Sequence, residues 1–273
     1  MSSQSLIRRW VCAGVLLAGV GSADTVLFDT FSDGSRDNQS LPDSANWIYA
    51  RTAADGYIST EGTFVGTNNS AGTGFIAPLV STQILSVGQS LQLSFDYQYG
   101  SNNFGDMVFR VNLLSSGGVS TTNDGTAFNN GVFNGWRGYG FSGQFGTNGG
   151  IRYRVNERAT TANNLFSGYS ILNSGIQTNG GSVSTWYNAR LTLNYLAVDN
   201  MQIIAELGGQ TLIATDTVGL VTSFDQVGIL ASANGWMAID NVSVISVVPE
   251  PSVALLLAAG LMVAGVTRRR HVA

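Results

Sequence analysis

The sequence predicts an all-β protein, a two-sheet sandwich spanning Asp24 to about Val247 between two apolar end segments. Three observations carry this. Short runs alternate apolar and polar residues with the period of two that turns one face of a strand toward a core. Glycine, asparagine, serine and threonine cluster between those runs, as turn formers do. No stretch between the ends keeps the 3.6-residue period of an amphipathic helix. The length suits one large β-domain, residues 24–247, with no internal boundary or repeat.

At the amino terminus, Arg8-Arg9 precede the apolar run Trp10–Val20 and the small residues Gly21-Ser22-Ala23. A basic stretch, an apolar helix and a small-residue cleavage site make residues 1–23 a Sec-type signal peptide, cut between Ala23 and Asp24. A loop crowded with Asp29, Asp33, Asp37 and Asp43 follows. Such oxygen-rich loops either hold Ca²⁺ or serve as solvated acidic turns, and both readings stay open here. Strict alternation then marks strands at Leu91–Tyr99, Met107–Leu113, Ile151–Val155 and Tyr187–Tyr195. Asp199-Asn200, Gly208-Gly209 and Asn234-Gly235 each separate two strand-like runs and predict a series of hairpins. Trp236–Ile245 is the closing strand.

Residues 248–273 differ in kind. Pro249 and Pro251 flank Glu250 and hold the chain extended, because each lacks an N–H and disfavours helix in the residue before it. The uncharged run Val253–Val266 makes a helix of roughly 21 Å, short against a hydrocarbon core of about 30 Å. Arg268, Arg269 and Arg270 follow and mark the cytoplasmic side, which puts everything before Val248 outside. Export at one end and a membrane stop at the other agree in topology.

The body between these ends carries 16 Asp and Glu against 8 Arg, and no Lys, His or Cys. Its acidity makes it a poor partner for nucleic acid. Without cysteine a buried core must hold it together. The missing residue types exclude a Ser-His-Asp triad, a cysteine nucleophile, a zinc site built on His or Cys and a Schiff-base lysine. The three glutamates, Glu61, Glu157 and Glu206, have no second carboxylate two residues away. The chain is therefore expected to be no enzyme, a carboxylate-dependent polysaccharide hydrolase or lyase being the alternative.

Pro249-Glu250-Pro251, the short apolar helix and the terminal arginines resemble the PEP-CTERM sorting signal of Gram-negative bacteria. That resemblance implies processing near Pro249–Pro251 by an exosortase-type membrane peptidase. It also implies transfer of the cargo to the envelope or to an exopolysaccharide matrix. The opening Phe28–Arg36 and the closing Phe224–Ile229 and Ile239–Val244 resemble the end strands of concanavalin A-like jelly rolls. The shorter galactose-binding-like jelly rolls, with a similar Ile-Asp-Asn-Val, are the alternative fold. The concanavalin A-like resemblance implies a structural calcium, for which Asp29, Asp33 and Asp37 are the candidates.

Arg110, Arg152, Arg154 and Arg190 fall on the polar parity of the alternating strands, together with Asp96, Gln98, Asn112, Asn188 and Asn194. If those strands share a sheet, one outer face gathers guanidinium forks and amides, with Trp186 on the same parity and Trp136 in a nearby glycine-rich segment. Amides and arginines bind sugar hydroxyls and carboxylates, and aromatic rings take the apolar sugar face. The face is expected to grip extracellular polysaccharide; an ordinary solvent face is the other reading, and a purely structural surface or adhesion protein is the further alternative. Gly138-Tyr139-Gly140-Phe141-Ser142-Gly143 spells a dinucleotide-binding pattern, but no helix follows to meet a pyrophosphate.

Overall fold

The computed structural model describes residues 22–36, 40, 43–49, 56–59, 63–68, 73–100, 107–120, 131–145, 151–159, 162, 165, 167–177, 184–231 and 235–248. The signal segment before Ser22, with its run Trp10–Val20, and the sorting segment from Pro249 onward, with Glu250, Pro251 and Arg268–Arg270, lie outside the described residues. Among the described residues no helix is long and apolar enough to cross a membrane.

The strands are β1 Ser22–Asp29, β2 Ile48–Tyr49, β3 Gly56–Ile58, β4 Phe64–Asn68, β5 Thr73–Ile84, β6 Ser90–Gly100, β7 Met107–Ser115 and β8 Arg137–Phe145. They continue as β9 Ile151–Arg158, β10 Tyr169–Gln177, β11 Tyr187–Ala197, β12 Asn200–Leu207, β13 Gln210–Asp216, β14 Ser223–Ala231 and β15 Gly235–Val248. Sheet 1 runs in the order β13-β12-β11-β6-β15-β4-β3, with β1 also pairing to β15. Sheet 2 runs β10-β9-β8-β7-β14-β5-β2. Neighbouring strands in both orders are antiparallel.

The core lies between the sheets and follows the alternation read from sequence. Leu91, Leu93, Phe95 and Tyr97 of β6 point inward, as do Phe109, Val111 and Leu113 of β7. Tyr97 from sheet 1 stacks on Phe109 from sheet 2 with ring centroids 5.1 Å apart, an offset contact that adds about 0.5–1.5 kcal/mol to simple burial. At β15 the period breaks by one residue. Ile239, Val242 and Val244 are all fully buried because a bulge between Asp240 and Ser243 resets the register. Asn241 takes a positive φ of 52° at that bulge and donates its amide to Asp96.

Two of the three expected hairpins form, β11–β12 around Asp199 and β12–β13 around Gly208-Gly209. The third does not: β14 and β15, which flank Asn234-Gly235, belong to different sheets. Chain proximity in sequence here makes a crossover between layers. A second apolar cluster sits on the outside of sheet 2, where Ile48, Ile76, Leu114 and Leu230 meet Phe133, Trp136 and Leu165 from the covering segments.

Candidate ligand face on sheet 2

The arginines expected on one face are divided between two. Arg110, Arg154 and Asn112 lie on the outer face of sheet 2, and the register puts Arg152 in the next row, opposite Gln144. Arg190, Asn188, Asn194, Asp96 and Gln98 lie on the outer face of sheet 1, on the far side of the sandwich. Parity fixes the side of a strand and says nothing about which sheet the strand joins, so the single-face arrangement does not hold.

The sheet 1 face satisfies itself. Arg190 pairs with Glu206 directly across β11 and β12. Asn188 donates to Asp96 at 3.2 Å, and Asn194 donates to Gln202 at 3.0 Å. These groups stand in water with partners already made, and contribute about 0–1 kcal/mol per pair. Trp186, just before β11, is exposed.

The sheet 2 face is built otherwise. Along β8 the outward residues are Gly138, Gly140 and Ser142, so the middle of the face is a trough of small groups whose floor and amide walls are covered, with Asn112, Asn156 and Ser142 only 1%, 3% and 6% exposed. Each floor position is flanked by a residue of β7 and one of β9: Leu114 and Arg158 beside Gly138, Asn112 and Asn156 beside Gly140, Arg110 and Arg154 beside Ser142. The glycines are required by close strand approach. A Cβ on Gly140 would lie 2.2 Å from the Val111 carbonyl oxygen and 2.3 Å from Asn112 Oδ1. The dinucleotide-like spelling therefore belongs to a strand and holds no phosphate loop.

Tyr169 crosses this trough. On β10 it stands opposite Arg158, three strands from β7, yet its ring centre is 4.6 Å from the Arg110 guanidinium carbon. A guanidinium over a tyrosine ring at that distance is a cation–π contact. The Tyr169 hydroxyl is buried beside Asn112 and makes no well-aligned hydrogen bond; Arg110 Nε and Gln226 Oε1 are likewise buried without partners. Burial pushes the tyrosine up to about 12, against the pull of Arg110 and Arg158. Burial also lowers the Arg110 guanidinium from its usual range, Tyr169 opposes that shift, and the Arg154 charge adds to it. On the same face Asn156 donates to Ser142 Oγ at 3.0 Å, a bond that does not use the Ser142 hydroxyl hydrogen.

One end of the trough is closed. Arg158, fully buried, donates to the carbonyls of Trp136, Phe133 and Ala162, and so ties the covering segment to the sheet. Trp136 is not a sugar platform: it is 0% exposed, stands edge-on to Phe133 at 5.0 Å and donates its indole N–H to the Val119 carbonyl. Tyr139, also buried, faces the core and donates to Asp216. A cavity of about 210 Å³ opens where the sheets meet at β10 and β13, lined by Phe141, Leu207 and Leu212 together with Arg154, Gln210 and Thr211.

Two of the aspartates named as calcium candidates, Asp29 and Asp33, accept hydrogen bonds from their own segment. Asp29 is buried and spends one oxygen on the Phe31 N–H and the other on the Ala45 N–H and the Trp47 indole. Asp33 accepts from Ser35 N in a turn, and Asp37 lies outside the described residues. Among the described residues no group of three or more His, Cys, Asp or Glu stands close enough to hold a metal ion. Ala23 and Asp24, the expected cleavage pair, are exposed in the first half of β1.

No protein-family model and no curated protein sequence matches the chain. Solved structures do. The metal-free carbohydrate recognition domain of Emp46p superposes with a TM-score of 0.51 at 14% identity, over 72% of this chain and 87% of that one. Its potassium-bound form gives 0.50 at the same identity and coverage. The CBM2 module of the evolved Dit of Lactobacillus casei BL23 phage J-1 gives 0.50 at 13% identity, over 83% of this chain and 97% of that one. The fold is a lectin-like jelly-roll sandwich. That is the first of the two folds expected from the end strands.

Proposed function

We propose that the protein is an exported, non-enzymatic glycan-binding sandwich, sorted to the cell envelope or the extracellular matrix, that holds extracellular polysaccharide along the β8 trough. The observation that carries this is the trough itself: a small-residue floor walled by Arg110, Asn112, Arg154 and Asn156, with an aromatic ring across it and two buried polar atoms, Arg110 Nε and the Tyr169 hydroxyl, left without partners. Buried polar groups in folded proteins are paired as a rule, and unpaired ones mark a place where a ligand or water completes the set. Glycans are held by this combination of forked donors, amides and a ring. The likeness to a carbohydrate recognition domain and to a carbohydrate-binding module supports the reading at the level of fold.

In this reading the Sec machinery exports the chain, the Val253–Val266 helix holds it briefly in the membrane, and an exosortase-type peptidase releases it near Pro249–Pro251. Catalysis has little to work with. Asp216 spends its two carboxylate oxygens on Tyr139 and on the Val218 N–H, and Glu157 is buried beside it. The test incubates the purified protein with polysaccharide from the producing culture, and measures co-sedimentation and new chain ends together. Co-sedimentation without new chain ends, weakened by Arg154→Ala, is expected. Failure to retain any polysaccharide, or release of chain ends, overturns the proposal.

A further inference from the structure

Resting on that reading of the trough, we infer that its ligand is an acidic saccharide, with a sugar carboxylate held above Ser142 between Arg110 and Arg154. The three residues form one row across β7, β8 and β9. Two strand spacings of about 4.8 Å separate the flanking backbones, so both arginine side chains stand within reach of one anion over the serine between them. A planar carboxylate offers two oxygens to two forks, and the free Ser142 hydroxyl hydrogen supplies a third donor from below.

Charge on this face points the same way. The body is acidic overall, yet among the described residues the seven strands of sheet 2 contain two carboxylates, Glu157 and Asp225. Neither reaches the row. Glu157 pairs in register with the inward Tyr139 and stands 3.9 Å from Arg137. Asp225 is bonded to the N–H and hydroxyl of Ser116 beyond the end of β7. Among the described residues no ion pair is made by Arg110 or Arg154, whereas Arg190 on the opposite sheet has Glu206. A partly desolvated guanidinium with an unpaired Nε and no counter-ion is costly unless something negative completes it. A neutral sugar hydroxyl gives each fork one acceptor and no charge; a uronate gives two acceptors and the missing charge.

Calorimetric titration of the full-length protein in detergent micelles with matched oligosaccharides tests this. The set comprises an oligouronate, the same oligomer with its carboxyl groups reduced to primary alcohols, and a sulfated neutral oligomer of equal length. The oligouronate is expected to bind at least about tenfold more tightly than its reduced form, and Arg110→Gln or Arg154→Gln to remove about tenfold each. Arg190→Gln is expected to leave binding unchanged, and thermal melts confirm that each variant is folded. Equal affinity for the acidic and reduced oligomers overturns the carboxylate inference and leaves the glycan reading standing. Preference for the sulfated oligomer over the uronate also overturns it. Failure of all three to bind, with folded protein, overturns both.

Discussion

Removing the Asp29 carboxylate should cost more than any single change on the protein surface. The side chain is 1% exposed and accepts three hydrogen bonds: Phe31 N at 2.8 Å, Ala45 N at 3.1 Å and the Trp47 indole at 2.8 Å. It therefore joins the end of β1 to the segment that enters β2. In Asp29→Ala three buried donors lose their acceptor, each worth about 1–3 kcal/mol. Burial raises the Asp29 carboxyl above the usual aspartate range, so part of that loss is offset by no longer holding a desolvated charge. The net expectation is the lower part of the range, about 3 kcal/mol. For a domain of this size that lowers Tm by about 6–12 °C. Asp29→Asn should be nearly as harmful. An amide has one acceptor oxygen, so either orientation turns its NH₂ toward at least one of the three donors. Trp47→Phe, which removes one donor, should cost less than either. Thermal and urea melts of the purified protein decide it, with addition of EDTA expected to leave the wild-type Tm unmoved because both Asp29 oxygens are already engaged. A loss below about 1 kcal/mol in Asp29→Asn, or a large fall in Tm on chelation, would refute the reasoning.

Two further outcomes follow from the same geometry. Gly140→Ala places a methyl group 2.2 Å from the Val111 carbonyl and must push β8 off β7, so a destabilisation of about 2–3 kcal/mol is expected by denaturant melt, with none if the strands can part freely. The second concerns pH. Glu157 is raised above the usual glutamate range by burial and then by the Asp216 charge, with Arg137 opposing. Asp240 is raised mainly by burial too. A carboxyl whose folded pKa exceeds its unfolded value favours folding most when protonated, and that contribution is lost as pH rises through the folded value. Tm should therefore climb as pH falls from neutrality toward the unfolded carboxyl values of about 4, and Glu157→Gln should flatten the climb. A Tm that drops across this window, or a Glu157→Gln profile parallel to wild type, would contradict the assignment.

The strands were legible because alternation is a local property. Leu91, Leu93, Phe95 and Tyr97 face the core for the same reason they alternate with polar residues, and β9 and β11 repeat the pattern. Sheet membership was not legible. Arg110 and Arg190 share a parity and stand on opposite outer faces, because the crossovers that assign β7 to one sheet and β11 to the other leave no period in the sequence. Trp136 was misread for a related reason: a tryptophan in a glycine-rich segment looks exposed until the segment is seen folded over Leu114 and Leu230. Its neighbour Phe133, three residues earlier, was the available sign of an apolar cap. The trough had a sign as well. Gly138, Gly140 and Ser142 place small groups at every second position of β8, which in a strand means one smooth stripe on one face. Tyr169 had none, since its partner Arg110 lies 59 positions away in sequence and three strands away in space.

The state of Arg110 decides between the two readings of an arginine-bearing face. A solvent face holds its cations in water or against neighbouring carboxylates, as Arg190 is held by Glu206, and such a face gains little from any ligand. Arg110 has neither. It lies against the Tyr169 ring with Arg154 one row-mate away, its Nε buried and unpaired. The fold has already met part of the cost of desolvating and orienting that guanidinium, so an arriving anion meets a donor that needs less stripping of water and loses less rotamer freedom. A ligand that restores a charge partner recovers that cost on binding, whereas a neutral hydroxyl recovers only part of it. The same arrangement explains the small floor: any side chain longer than serine at position 142 would occupy the space between the two forks.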